Sequence, residues 1–120
     1  MQIRYSRYLS SLARSVAKRD NIQLSEGVYS YTPGPMYETP AEISMMRSFG
    51  GDVVGMSLYP EVLVAHLLGF NFCAFSLVTN LGAGMDEIKL HHEDVLKVSD
   101  QMGNIFSRFI IQFISEIKEG

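Results

Sequence analysis

Ile3, Leu9, Leu12, Ala13, Val16 and Ala17 recur at helical spacing among Arg and Ser residues, which predicts an amphipathic helix with one buried side. Asp20-Asn21 interrupts that pattern. Leu24 to Thr32 then alternates loosely through Val28, Tyr29 and Tyr31, predicting a strand that stops at Pro33-Gly34. From Thr39 to Phe49 the apolar positions Ile43, Met45, Met46 and Phe49 predict a helix, capped by Thr39, opened by Pro40 and stopped by Gly50-Gly51. Asp52 to Ser57 is a short apolar run that reads as a buried strand. Pro60 opens a helix carrying Val62, Leu63, Ala65, His66 and Leu67, closed at Gly69. Phe70 to Leu81 is rich in β-favouring residues and predicts a third strand, ending at Gly82-Ala83-Gly84. From about Glu93 to Lys118 the stripe Val95, Val98, Met102, Ile105, Phe106, Phe109, Ile110, Phe113, Ile114 and Ile117 predicts a long terminal helix.

Strands alternating with helices define an α/β class with parallel pairing: about three strands between helices, then the long C-terminal helix. Residues 1–120 contain no repeat, low-complexity run or linker, so they read as one domain. A three-stranded sheet has two edges that need cover, so further strands, a partner subunit or both are expected.

Composition narrows the class. With 47% apolar and 19% charged residues the chain is globular rather than disordered. Cys73 is the single cysteine and lies in an apolar run, which reads as a small buried hydrophobe of a reducing compartment and leaves no disulfide framework or cysteine-based metal site. No run reaches the roughly 20 apolar residues of a membrane span, so a soluble chain without membrane partners is expected. Residues 1–19 carry Arg4, Arg7, Arg14, Lys18 and Arg19 and no acid, whereas all 13 acids follow. Such a start is compatible with a transit peptide or a nucleic-acid face, but solvated charge on one side of a core helix is the commoner meaning.

Polar groups stand where strands or loops meet helices, the usual place for ligands in open α/β sheets. Glu38, in Gly34-Pro35-Met36-Tyr37-Glu38-Thr39-Pro40, is either a solvated loop carboxylate or a ligand contact. Ser57, after Met56 and ahead of the Pro60 helix, offers a hydroxyl to an anion or to helix capping. Asn80, after Thr79, presents an amide to a heterocycle or simply turns the chain before Gly82. His91-His92-Glu93-Asp94 sits where a helix begins. Adjacent side chains on a helix diverge, so this run suits a metal poorly, and acids in a first turn are expected from the helix dipole. His66 reads as a core histidine.

Six ordered fragments carry a resemblance: Glu26-Gly27-Val28-Tyr29, the run from Gly34 to Glu42, Asp52-Val53-Val54-Gly55-Met56-Ser57, Pro60-Glu61-Val62, Ser76-Leu77-Val78-Thr79-Asn80, and His92-Glu93-Asp94-Val95-Leu96. In order and spacing they resemble the purine nucleoside phosphorylase family, specifically its trimeric class, over nearly the whole chain. The resemblance implies a partial nucleoside-phosphorylase-type fold, the C-terminal portion of a single phosphorylase domain. It implies a cytoplasmic homotrimer that takes a purine nucleoside and uses inorganic phosphate as co-substrate, with no cofactor and no nucleic-acid partner. Phosphate attacks C1′ and releases the base, so the enzyme must stabilise an anionic purine and position phosphate.

By the same resemblance Glu38 accepts from the purine N1 side and Asn80 meets N7 and O6, while Tyr37 lies against the base and Thr79 supports that face. Met56 lies under the ribose, Ser57 binds phosphate, His92 approaches the 5′-hydroxyl and Val95 packs near that end. Glu38 and Asn80 together imply the branch selective for 6-oxopurines. Leu58-Tyr59 departs from the family's usual Thr-Val, and Gly82 from a frequent Ala. The family's glycine-rich phosphate loop and its other phosphate-binding residues have no counterpart among these motifs.

Overall fold

The structure, a computed structural model, describes residues 4–85 and 92–118, with the backbone alone for residues 92–94. Its elements are helix α1 (Arg7–Arg19), strand β1 (Tyr29–Tyr31), helix α2 (Pro40–Ser48), strand β2 (Val53–Gly55), helix α3 (Tyr59–Leu67) and helix α4 (His92–Ser115). β1 and β2 pair in parallel, with Tyr29 opposite Val53, Ser30 opposite Val54 and Tyr31 opposite Gly55, and α2 makes the crossover.

The helix ends are set by local hydrogen bonds. Ser6 caps α1 by accepting from the Leu9 N–H at 3.3 Å. At the end of α2, Gly51 N–H reaches Met46 O and Gly50 N–H reaches Arg47 O, both at 3.0 Å. At the end of α3, Phe70 N–H reaches Ala65 O at 2.9 Å and Gly69 N–H reaches His66 O at 3.1 Å. Both ends are Schellman motifs, which satisfy the last carbonyls and turn the chain away.

The predicted third strand is corrected. Residues 70–81 form no strand among the described residues, where the sheet has two strands. Their β-favouring side chains suit a strand, but a strand also needs a neighbouring ladder. The pairing this segment does show is Ser6 N–H to Phe72 O at 2.9 Å, a contact with the start of α1. The predicted strand from Leu24 likewise shortens to Tyr29–Tyr31.

The buried cluster lies between α1, α4 and this unpaired segment. Leu9, Ala13, Val16 and Ala17 of α1 face Phe109 and Phe113 of α4, and the Phe75 ring meets both phenylalanines edge-on at 5.1 and 5.2 Å. Cys73 packs partly against this cluster, and burial pushes its thiol pKa up. Basic groups of α1 find acids: Arg14 pairs with Glu26, and Arg19 pairs with Asp20 and Glu116. Hydrogen bonds to Asp20, then Glu116, raise the Arg19 pKa. Such exposed pairs are screened by water and contribute little, whereas burying one Phe contributes about 1.5–3 kcal/mol, so apolar packing holds α1 to α4.

α2 begins with a capping box. Thr39 Oγ1 accepts from Glu42 N–H at 3.3 Å, and Thr39 N–H donates to Glu42 Oε2 at 2.7 Å. That backbone bond, then the Thr39 hydroxyl, lowers the Glu42 pKa. Thr39→Ala is expected to cost about 1 kcal/mol of unfolding free energy in urea melts at neutral pH. A lowered carboxylate pKa contributes stability above its unfolded value and loses it as pH falls through its folded value. The difference between the two proteins should therefore narrow below about pH 4. Identical melts at neutral pH would contradict this assignment of the cap.

Candidate active site

Because β1 and β2 are parallel and in register, the chain leaves both strands at the same end of the sheet. The exit from β1 is the turn from Thr32 to Thr39. Thr32 N–H donates to Gly55 O at 3.0 Å, which extends the pairing one step beyond β1. Gly34 adopts φ +64°, in the left-handed region that favours glycine, and its peptide to Pro35 is cis. A Cβ at Gly34 would stand 2.7 Å from the Met56 sulfur, so this turn rests on the residue that leaves β2. Glu38 comes just before the Thr39 cap and is half-buried, and the Thr32 hydroxyl donates to its Oε1.

A third wall comes from residues 79–83. The Thr79 hydroxyl donates to Asn80 Oδ1 at 2.6 Å, and Asn80 Nδ2 donates to Leu81 O at 2.8 Å. A carbonyl can only accept, so Leu81 O fixes which end of the amide faces it. Among the described residues one N–H of the amide remains for a ligand. Gly82 seats the loop on α2, since a Cβ there would approach Ile43 Cγ2 to 3.1 Å. Ile43 is buried, so a methyl at this position would require its side chain to give by a few tenths of an ångström.

The strand exits, this loop and α4 line a cleft of about 270 Å³. Tyr37, Glu38, Met56, Thr79, Asn80 and Val95 all line it, joined by Val54, Gly55, Gly82 and Ala83. The latter four were not singled out as candidates, although Gly82-Ala83 directly follows Asn80-Leu81 in the chain. The volume lies just below the roughly 300–1,000 Å³ typical of small-molecule sites. Its polar walls offer a carboxylate acceptor from one side and an amide from another.

Ser57 does not line the cleft. It is exposed, and its carbonyl accepts from the Tyr29 hydroxyl and from Tyr59 N–H, each at 3.0 Å. The second bond closes a tight turn about Leu58, whose φ of +81° is strained for a non-glycine residue. Leu58 is the N-cap of α3 and makes no side-chain cap bond, so the capping reading of Ser57 is not realised. The Leu58-Tyr59 departure has a packing role: the Tyr59 ring stacks on Tyr31, with centroids 5.3 Å apart. His91 and the side chains of His92, Glu93 and Asp94 lie outside the described residues. Among the described residues no group of His, Cys, Asp and Glu is placed to hold a metal ion. His66 is half-buried rather than a core residue, because its position on α3 stays partly open to solvent.

The family model for the phosphorylase superfamily matches residues 1–115. The chain belongs to the phosphorylase superfamily. Purine nucleoside phosphorylase 1 of Bacillus subtilis is 38% identical over 116 residues, which are 97% of this chain and 43% of that protein. A probable 6-oxopurine nucleoside phosphorylase of Moorella thermoacetica is 47% identical over 91 residues, 76% of this chain and 35% of that protein. The crystal structure of Schistosoma mansoni purine nucleoside phosphorylase in complex with inosine superposes with a TM-score of 0.90 at 37% identity, covering 97% of this chain and 42% of that one. The adenosine complex of the same enzyme gives 0.89. This phosphorylase chain thus spans less than half the length of the curated relatives it matches. Among its described residues no helix is long and apolar enough to cross a membrane.

The close approach of Gly34 to Met56 gives the phosphorylase cleft a direct steric test. Gly34→Ala is expected to cost about 1–2 kcal/mol of stability, because the left-handed backbone becomes strained and Met56 must move out of the way. Equal denaturation midpoints for the two proteins would contradict the turn geometry.

Proposed function

We propose that this chain carries the base- and ribose-recognising part of a purine nucleoside phosphorylase that prefers 6-oxopurine nucleosides such as inosine and guanosine. The observation that carries the reading is that Glu38 and Asn80, far apart in sequence, line one cleft. A carboxylate accepts from the N1–H of a 6-oxopurine, and an amide N–H donates to N7 or O6. Adenine has no N1–H, so it would leave the Glu38 oxygen without a donor, and such a polar mismatch discriminates strongly. As the glycosidic bond breaks, negative charge grows on the leaving base, and the Asn80 amide bond strengthens where that charge appears. Asn80 and Glu38 are the catalytic pair of this reading.

By the resemblance Tyr37 and Thr79 complete the base face, Met56 lies under the ribose, and His92 is assigned to the 5′-hydroxyl with Val95 near that end. The resemblance assigns phosphate to Ser57, which follows Met56 at the exit of β2 and stands outside the cleft lining. Phosphate is the co-substrate, and no cofactor enters the chemistry. One Ser cannot fix an attacking phosphate alone, so the remaining phosphate ligands belong to the rest of a phosphorylase domain of which this chain is the C-terminal portion. The resemblance supports a homotrimer and a cytoplasmic location.

A second reading, a non-catalytic purine-binding or oligomerising chain, draws on the exposed apolar side chains Met36, Phe49, Phe70 and Ile111. It expects hypoxanthine binding or self-association without cleavage of inosine in phosphate buffer. The catalytic reading is tested by Asn80→Asp in a complete enzyme carrying this chain. A carboxylate there accepts from the 6-amino group and repels O6. The ratio of kcat/KM for inosine over adenosine is therefore expected to fall by about a hundredfold or more. An unchanged ratio would overturn the base assignment.

A further inference from the structure

We infer that Thr32 is a positioning residue for base recognition: its hydroxyl holds one oxygen of the Glu38 carboxylate so that the other faces the base. This inference rests on the proposal that Glu38 reads the purine N1 side. Thr32 lies one residue past β1, and its own N–H is bonded to Gly55 O of β2 at 3.0 Å, so the hydroxyl projects from backbone fixed by the sheet. That hydroxyl donates to Glu38 Oε1, across the turn that carries Gly34 and Pro35. Both residues are half-buried, which makes the bond less exposed to competing water than one on the open surface.

The need for such an anchor follows from the side chain. A Glu carries three rotatable bonds, and ordering them draws on binding energy unless the protein has ordered them beforehand. The capping box fixes the backbone that follows Glu38, but not the direction of its carboxylate. Thr32 supplies that direction. A hydroxyl has one hydrogen to give, so it occupies one carboxylate oxygen and leaves the second for the N1–H of a 6-oxopurine. A Val or Leu at residue 32 would keep the turn but leave the carboxylate free to swing. The Thr32 contribution is thus specific to ligands that donate to Glu38.

The experiment is calorimetric binding of hypoxanthine and of adenine to the protein and four variants: Thr32→Val, Thr32→Ser, Glu38→Gln and the double variant Thr32→Val with Glu38→Gln. Thr32→Val keeps the shape and removes the hydroxyl, and is expected to weaken hypoxanthine binding about five- to tenfold while leaving adenine binding within about twofold. Thr32→Ser keeps the hydroxyl and should restore most of the affinity. Adding Thr32→Val to Glu38→Gln should cost less than about twofold, because the group being positioned is already altered. If Thr32→Val and Glu38→Gln act additively, or if Thr32→Ser loses as much as Thr32→Val, the hydroxyl does not act through Glu38 and the inference fails. If Thr32→Val does not fold, Thr32→Ser alone decides: near-unchanged hypoxanthine affinity supports the inference, and a fivefold loss overturns it. Separately, unchanged hypoxanthine binding in Glu38→Gln, or no hypoxanthine binding by the unsubstituted protein, would sink the base-recognition reading on which the inference stands.

Discussion

The parallel register of β1 against β2 is the constraint on which the rest of the site depends. With Tyr31 opposite Gly55, both strands end at the same level, and the chain leaves each of them beside the other. Thr32 N–H extends the pairing to Gly55 O, and Gly34 lies against Met56, so the two exits are locked together before any ligand arrives. A slip of one residue would turn every side chain of a strand to the opposite face and separate Glu38 from Met56. Three ladder positions are few to carry such a burden. The capping box at Thr39 and the packing of Gly82 on Ile43 therefore matter, because they fix α2 and the loop holding Asn80 relative to the same strands.

Helix ends were the most legible part of the sequence. Gly50-Gly51 and Gly69 terminate helices through local hydrogen bonds, and local chemistry can be read from local residues. The segment from Phe70 to Leu81 shows the opposite case. Its side chains favour a strand, but strand formation needs a ladder partner, and among the described residues its backbone meets the start of α1 at Ser6 instead. The α1 stripe translated directly into packing, because Leu9, Ala13, Val16 and Ala17 found the phenylalanines of α4.

The candidate site divides along the same line. Glu38, Met56, Thr79 and Asn80 could be picked out because each stands at an element boundary, and Tyr37 and Val95 through the family resemblance, and all six line the cleft. Ser57 could not be placed by sequence, since whether it caps α3 depends on the turn at Leu58. Thr32 carried no sequence signal at all. Its hydroxyl meets Glu38 only because the turn folds back, and the residues between them do not announce that contact. Tyr59 gained a role in the same way, through a ring from β1 that reaches it across the sheet end.

In this account the cleft recognises a base through two polar groups held by backbone geometry, and the chemistry follows from where charge moves when the base departs. A crystal structure of the protein with hypoxanthine tests that claim most directly. The account predicts the ring between the strand exits and the loop at residues 79–83, with N1 within hydrogen-bond distance of the Glu38 carboxylate and N7 or O6 within reach of the Asn80 amide. Hypoxanthine bound elsewhere, or in the cleft with both Glu38 and Asn80 turned to solvent, would contradict it.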